Sequence, residues 1–280
     1  MTNFSQASIR SKQKINIDDN EVHLWMTKPT ELQNDNELFT RYQTLLTSTE
    51  LAKQQRYKFA NHRHDALITR AFIRDLLSYY ADVLPQDWQF EKGIKDKPEV
   101  VNCPIPLRFN LSHTKNLIIC AVTLEHDIGC DVESTGRSNN VLGIAQRYFS
   151  VQETNELFAL PESAQRDRFF DYWTLKESYI KAWGLGLAIP LADFSFYIND
   201  THENYKDLFT IKQDISLSFA EHREDEAQIW RNWLIYPSTE MDTKQEHRIA
   251  IALREKRDTQ QTKYHLRFFN TLPLLGYREL

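Results

Sequence analysis

A chain of 280 residues with 41% hydrophobic and 26% charged residues has the make-up of a folded globular protein, which excludes extended disorder. Its net charge of −5, with Lys and Arg scattered along the chain, argues against a general nucleic-acid binder and leaves room only for a local basic pocket. Three cysteines (Cys103, Cys120 and Cys130) fit neither an even disulfide set nor a CxxC metal site, and no apolar run approaches the ~20 residues of a membrane span.

The polar opening residues hold no apolar signal core, so a cytoplasmic location is expected. EVHLWMTK (21–28) sets Val22, Leu24 and Met26 against polar neighbours and predicts a strand. Residues 36–58 predict helix broken around Thr47–Thr49, and DALITRAFIRDLLSYYADVL (65–84) predicts a stronger one. There Ile68, Phe72 and Leu76 form a stripe at four-residue spacing. Residues 86–106 read as loop with short extended pieces. NLIICAVTL (116–124) predicts a buried strand, EHD a tight turn, and IGCDVE (128–133) the partner strand returning beside it. RSNNVLGIAQRYF and SVQETNELFAL predict two helices, the second capped by Ser150 with Glu153 at the capping-box position. RDRFFDYWTLKESYIKAWGLGL (166–187) predicts a long helix ending in glycines. Strand after strand follows from 193 to 269, expected to complete a second sheet, and the class is α+β. Of only seven glycines, Gly129, Gly184 and Gly186 fall in two short segments, which marks these as places of sharp turning or close approach.

In a strand, alternate side chains share a face, so Asp131 and Glu133 point together and should repel unless they face positive charge. On the long helix, Trp173, Glu177 and Lys181 are spaced four apart on one face. An exposed Glu–Lys pair of this kind is worth only about 0.3–0.5 kcal/mol and needs no function. Here, however, Tyr172, Trp173, Ile180 and Trp183 surround it with bulk that a solvated face would not carry. Asp131, Glu133 and Glu177 would make three hard oxygen donors, a set that suits Mg²⁺, or Mn²⁺, with room for water and a phosphate. Lys181 beside them would add charge for that phosphate.

The blocks FNLSHT (109–114), IGCDVE (128–133), FSVQE (149–153) and WTLKESYIKA (173–182) resemble the motif series of the 4′-phosphopantetheinyl transferases, in particular the larger Sfp-type enzymes. The resemblance runs over roughly residues 50 to 200, in the family's order. It implies Mg²⁺-dependent transfer of phosphopantetheine from coenzyme A to a serine of an apo acyl or peptidyl carrier protein, releasing adenosine 3′,5′-bisphosphate. Carried over residue by residue, it makes Asp131, Glu133 and Glu177 the metal ligands, Glu177 also the base, and Lys181 the group that stabilises pyrophosphate charge. Ser112 and His113 would meet the coenzyme A phosphates, Lys97 the nucleotide end, and Lys53 a basic position before the first helix. Glu153 matches an acidic position at which helix capping is an equal alternative. Where the family has Gly-Lys-Pro this chain has Asp96-Lys97-Pro98, and an adjacent acid weakens a phosphate-binding lysine.

The resemblance further implies two similar α+β halves about a pseudo-twofold axis, 1–125 and 126–280, with coenzyme A in the cleft and the monomer active. Two other classes stay open: a different Mg²⁺-dependent phosphoryl or nucleotidyl enzyme, and a non-catalytic binder of coenzyme A or a carrier. The pathway served (fatty-acid, polyketide or non-ribosomal peptide) is not written in these motifs.

Overall fold

The computed structural model describes residues 14–32, 35–93, 97–184, 188–242, 244, 246–256 and 262–280. The chain opens with strand β1 (Glu21–Thr27), followed by helices α1 (Asn36–Leu45), α2 (Ser48–Gln55) and α3 (Ala60–Leu77). A short hairpin, β2 (Phe90–Lys92) and β3 (Pro98–Val100), precedes β4 (Leu107–Thr114), β5 (Leu117–Leu124) and β6 (Asp127–Ser134). Helices α4 (Val141–Tyr148), α5 (Val151–Ala159) and α6 (Glu162–Trp183) come next. The remaining strands are β7 (Phe194–Ile198), β8 (Glu203–Tyr205), β9 (Phe209–Lys212), β10 (Ile215–Phe219), β11 (Trp230–Pro237), β12 (His247–Arg254), β13 (His265–Leu272) and β14 (Gly276–Glu279). The α+β class is as expected. No described helix is long and apolar enough to cross a membrane.

Two five-stranded sheets organise these elements, in the orders β14-β13-β1-β5-β4 and β6-β12-β11-β9-β8. β1 runs parallel to β13, whereas the second sheet is antiparallel throughout. Two expectations are corrected here. IGCDVE does not pair with the strand before it: β5 lies between β1 and β4, and β6 opens the second sheet against β12. The closing strands do not all complete the second sheet, because β13 and β14 return to the first.

Burial explains the strand sequences. Val22, Leu24 and Met26 of β1 enter a core between the two sheets, while Trp25 enters a second core beneath α3. β5 divides the same way, Ile119 and Ala121 to one side and Ile118, Cys120 and Val122 to the other, which is why its sequence is apolar without alternation. The neighbours of the β1 stripe are therefore buried too; Trp25 Nε1 donates to Tyr80 Oη at 2.6 Å and His23 Nδ1 lies 2.7 Å from the same hydroxyl. A third core joins α4, α5 and α6 to the outer face of the second sheet.

That third core encloses an ion pair. The capping box at Ser150 forms as expected, with Glu153 accepting from the Ser150 amide. Glu153 also lies 2.7 Å from Lys176 Nζ, and both side chains are fully buried. Lys176 donates further to the carbonyls of Leu191 and Phe194, at 2.7 and 2.6 Å. Glu153 accepts from Phe196 N at 3.0 Å. The pair thus ties α5, α6 and β7 together, so the capping alternative for Glu153 describes its contacts. Lys176→Met should cost about 3–5 kcal/mol by stranding a buried carboxylate. Calorimetry should show a melting temperature lower by roughly 10 °C. The double change with Glu153→Gln should recover part of that loss, because both charges are then gone.

Candidate active site

β6 sorts its side chains between two environments. Ile128, Cys130 and Val132 enter the core between the sheets. Gly129, Asp131 and Glu133 occupy the alternate positions, on the face that meets α6. Gly129 sets the approach of that helix: a Cβ there would stand 2.0 Å from the Ser178 carbonyl oxygen and 2.3 Å from the Ala182 amide nitrogen. Only a residue without a side chain lets the α6 backbone come so close. Glu177 and Lys181, flanking these contact residues, are thereby carried to the acidic end of β6. The end of α6 is closed by Gly184 at φ +71°, a left-handed cap. Gly186 and Asp96 lie outside the described residues.

Lys181 Nζ lies 2.5 Å from Asp131 Oδ1 and donates to Ser112 Oγ at 2.9 Å. Ser112 Oγ in turn donates to Asp131 Oδ1 at 2.9 Å and accepts from Val132 N at 3.3 Å. The three side chains form a closed triangle from β4, β6 and α6. Burial works against the Lys181 ammonium, yet the Asp131 carboxylate outweighs it and holds the lysine above its ordinary pKa. Asp131 Oδ2 is buried and has no hydrogen-bond partner among the described residues. An unpartnered anionic oxygen in the interior is costly, and a cation is the natural complement.

Glu133 is held by two other groups. Trp173 Nε1 donates to its Oε1 at 3.1 Å, and Arg137 reaches its Oε2 at 2.8 Å. Burial, then the Asp131 charge, raises its pKa against the pull of Arg137. Glu177, half-buried, is pushed up to about 7, first by burial and then by the Asp131 charge, with Glu133 adding to it and Lys181 opposing. These mutual shifts place the three carboxylates in one electrostatic neighbourhood. Among the described residues, however, no group of three or more His, Cys, Asp or Glu side chains is gathered tightly enough to hold a metal ion. The contacts above give the reason: Asp131 Oδ1 is turned to Lys181 and Glu133 to Arg137 and Trp173. The donor chemistry fits a hard divalent cation, with Asp131 Oδ2 as the free oxygen.

The other sequence-predicted residues divide. Ser112 is in the site, but buried, with its hydroxyl fully engaged. His113 is exposed; the protein around its ring and, second, the Lys181 ammonium lower its pKa, so it favours the neutral form near pH 7. Lys97, just before β3, reaches across to the end of α6, donating to the Lys181 carbonyl at 2.8 Å. Lys53 stands exposed on α2, and among the described contacts none joins it to the carboxylates.

Two contributors carried no assignment from sequence. Asn110 accepts from Cys130 N at 2.9 Å through Oδ1 and, with Ser112 two residues on, satisfies β6 backbone amides by side chains. β4 and β6 are thus joined by side chains where a ladder is missing. The N-x-S pattern at strand period was the available signal. Arg137 was the other; its spacing of four from Glu133 signals little, because a turn intervenes.

A family model described as the 4′-phosphopantetheinyl transferase superfamily matches residues 127–252. The 4′-phosphopantetheinyl transferase HetI of Nostoc sp. is 36% identical over 170 residues, spanning 60% of this chain and 70% of the relative. The 4′-phosphopantetheinyl transferase Sfp of Bacillus subtilis is 31% identical over 172 residues, 61% of this chain and 73% of the relative. The L-aminoadipate-semialdehyde dehydrogenase-phosphopantetheinyl transferase of Rattus norvegicus is 28% identical over 214 residues, 71% and 64% respectively.

Proposed function

Because this chain belongs to the 4′-phosphopantetheinyl transferase superfamily and is an enzyme of that kind, we propose that it moves phosphopantetheine from coenzyme A to a serine of an apo acyl or peptidyl carrier protein. The observation that carries this reading is the Asp131–Lys181–Ser112 triangle, in which Asp131 Oδ2 has no partner among the described residues, together with a Glu177 whose pKa is pushed up to about 7 by burial and the Asp131 charge.

Asp131, Glu133 and Glu177 would hold Mg²⁺ or Mn²⁺. Bound there, the ion supplies neutralisation of pyrophosphate charge and an electrophilic pull on phosphorus. Lys181 adds a fixed positive charge on the same side, and His113 and the β4 edge at Ser112 border the space for the coenzyme A phosphates. In the transfer, the carrier serine Oγ forms a bond to the phosphorus that bears pantetheine. The bond from that phosphorus to the bridging oxygen breaks, and adenosine 3′,5′-bisphosphate leaves with the electron pair. Glu177 takes the serine proton; its raised pKa suits a base working near pH 7. Lys181 stabilises the charge on the departing phosphate.

The two sheets with their outer helices serve as the two halves, related in this reading by a pseudo-twofold axis and divided near residue 125 for most of the chain. β4 brings Ser112 and His113, and β6 with α6 brings the acids, so one copy supplies the whole set and a monomer suffices. The direct test incubates the protein with coenzyme A, Mg²⁺ and a panel of apo carriers and weighs each carrier by mass spectrometry. A phosphopantetheine adduct that disappears on chelation is the expected result. No adduct on any of several unrelated carriers overturns the reading.

A further inference from the structure

Lys97 sits at the end of an arm anchored in the first half. At the base of the β2–β3 hairpin, buried Arg74 of α3 donates to the Trp88 carbonyl at 2.7 Å and lies over the Phe90 ring, 5.0 Å from its centroid. Val101 N donates to Gln89 O at 3.1 Å, and Gln89 N to Asn102 Oδ1 at 2.9 Å, closing the base. Nearer the tip, Gly93 N donates to the Lys97 carbonyl at 2.8 Å. The Lys97 ammonium then crosses to the second half and donates to three carbonyls: Lys181 at 2.8 Å, Ile128 at 3.2 Å and Ala182 at 3.3 Å.

These acceptors belong to the elements that build the site. Lys181 and Ala182 lie in the last turn of α6, where carbonyls lack intrahelical partners and the negative end of the helix dipole favours a cation. Ile128 opens the β6 segment that leads to Asp131. One lysine therefore fastens β6 to α6 from outside both, and it grips the peptide of Lys181 itself. Its three donors match three acceptors, which leaves none for a nucleotide in this arrangement. Burial first, and Arg108 second, push its pKa down to about 8, so the charge is held there against a desolvation cost.

We propose that Lys97 is a positioning residue, whose grip on the α6 terminus and β6 keeps Lys181 registered against Asp131. The kinetic arm of its test rests on the transferase reading above; a second arm does not. Lys97→Met keeps the aliphatic stem and removes the donors. It should lower kcat by about 10- to 100-fold while KM for coenzyme A stays within about threefold, the pattern of a displaced catalytic group. A nucleotide contact would instead raise KM at unchanged kcat, and that result overturns the proposal. Hydrogen exchange read by mass spectrometry, without any substrate, should show the amides of 180–184 exchanging roughly tenfold faster in the variant, with α3 unchanged. Equal protection in both proteins also overturns it. Because exchange needs no carrier, an inactive wild type would sink the transferase reading and leave this arm decisive. Should Lys97→Met not fold, Lys97→Gln, which keeps two donors, carries both measurements with smaller effects of the same sign.

Discussion

Asp131→Ala should lower phosphopantetheine transfer by about 100-fold or more while the protein remains folded. Asp131 is the centre of the site: its Oδ1 receives Lys181 and Ser112, and its buried Oδ2 has no partner among the described residues. Removing it takes away the proposed metal ligand and the anchor of the lysine together. Stability should change little. Its charge raises the pKa of both Glu133 and Glu177, so its loss relieves a repulsion. The lysine left behind is 29% exposed and keeps Ser112 as acceptor. Asp131→Asn, which retains an acceptor for Ser112 and Lys181, should be nearly as inactive, because the charge is what a cation needs. Carrier mass measured over time gives the rate, and a circular-dichroism melt monitors the fold. Turnover within about threefold of wild type, in a folded variant, would remove Asp131 from the proposed metal site.

The second large effect is expected at a residue with no chemistry. Gly129→Ala places a methyl group 2.0 Å from one backbone atom of α6 and 2.3 Å from another, and neither belongs to a side chain that could swing away. The helix must lift from β6 by an ångström or more. Overpacking of this kind costs about 1–3 kcal/mol, seen as a lower midpoint in urea. The same shift carries Glu177 and Lys181 away from Asp131, and misplacement by about 1 Å can cost roughly 100-fold in rate. Gly136→Ala is the control: the atoms nearest its added Cβ belong to the Glu246 side chain, at 3.3 Å or beyond, and a side chain can give way. Equal stability and activity of the two variants would show that the close approach at Gly129 does not set the site.

Local structure was legible wherever neighbours in sequence decide it. The break between α1 and α2 falls where Thr47 caps with Glu50, and Ser150 with Glu153 opens α5, because a capping box is complete within four residues. The acidic pair on β6 and the Glu177–Lys181 face of α6 follow from strand and helix periods alone, and so did the interest of Gly129. Partner choice was not legible. The Glu125 turn looked like a hairpin, yet Glu125 N bonds to Pro106 O and the chain passes to the other sheet. The β6 amides of Cys130 and Val132 are met by Asn110 and Ser112 side chains of β4, a pairing that no alternation of apolar residues announces.

By itself, the order of residues determined the α+β class, the helices, most strands and which acids share a face, since these depend on periodicity and capping over a few residues. Tertiary structure alone decided that β13 and β14 rejoin β1, that Glu133 turns to Arg137 and Trp173, and that Lys97 spends its charge on the end of α6. Those outcomes depend on contacts between segments far apart in the chain, where buried polar groups take whichever partners the packing brings within reach.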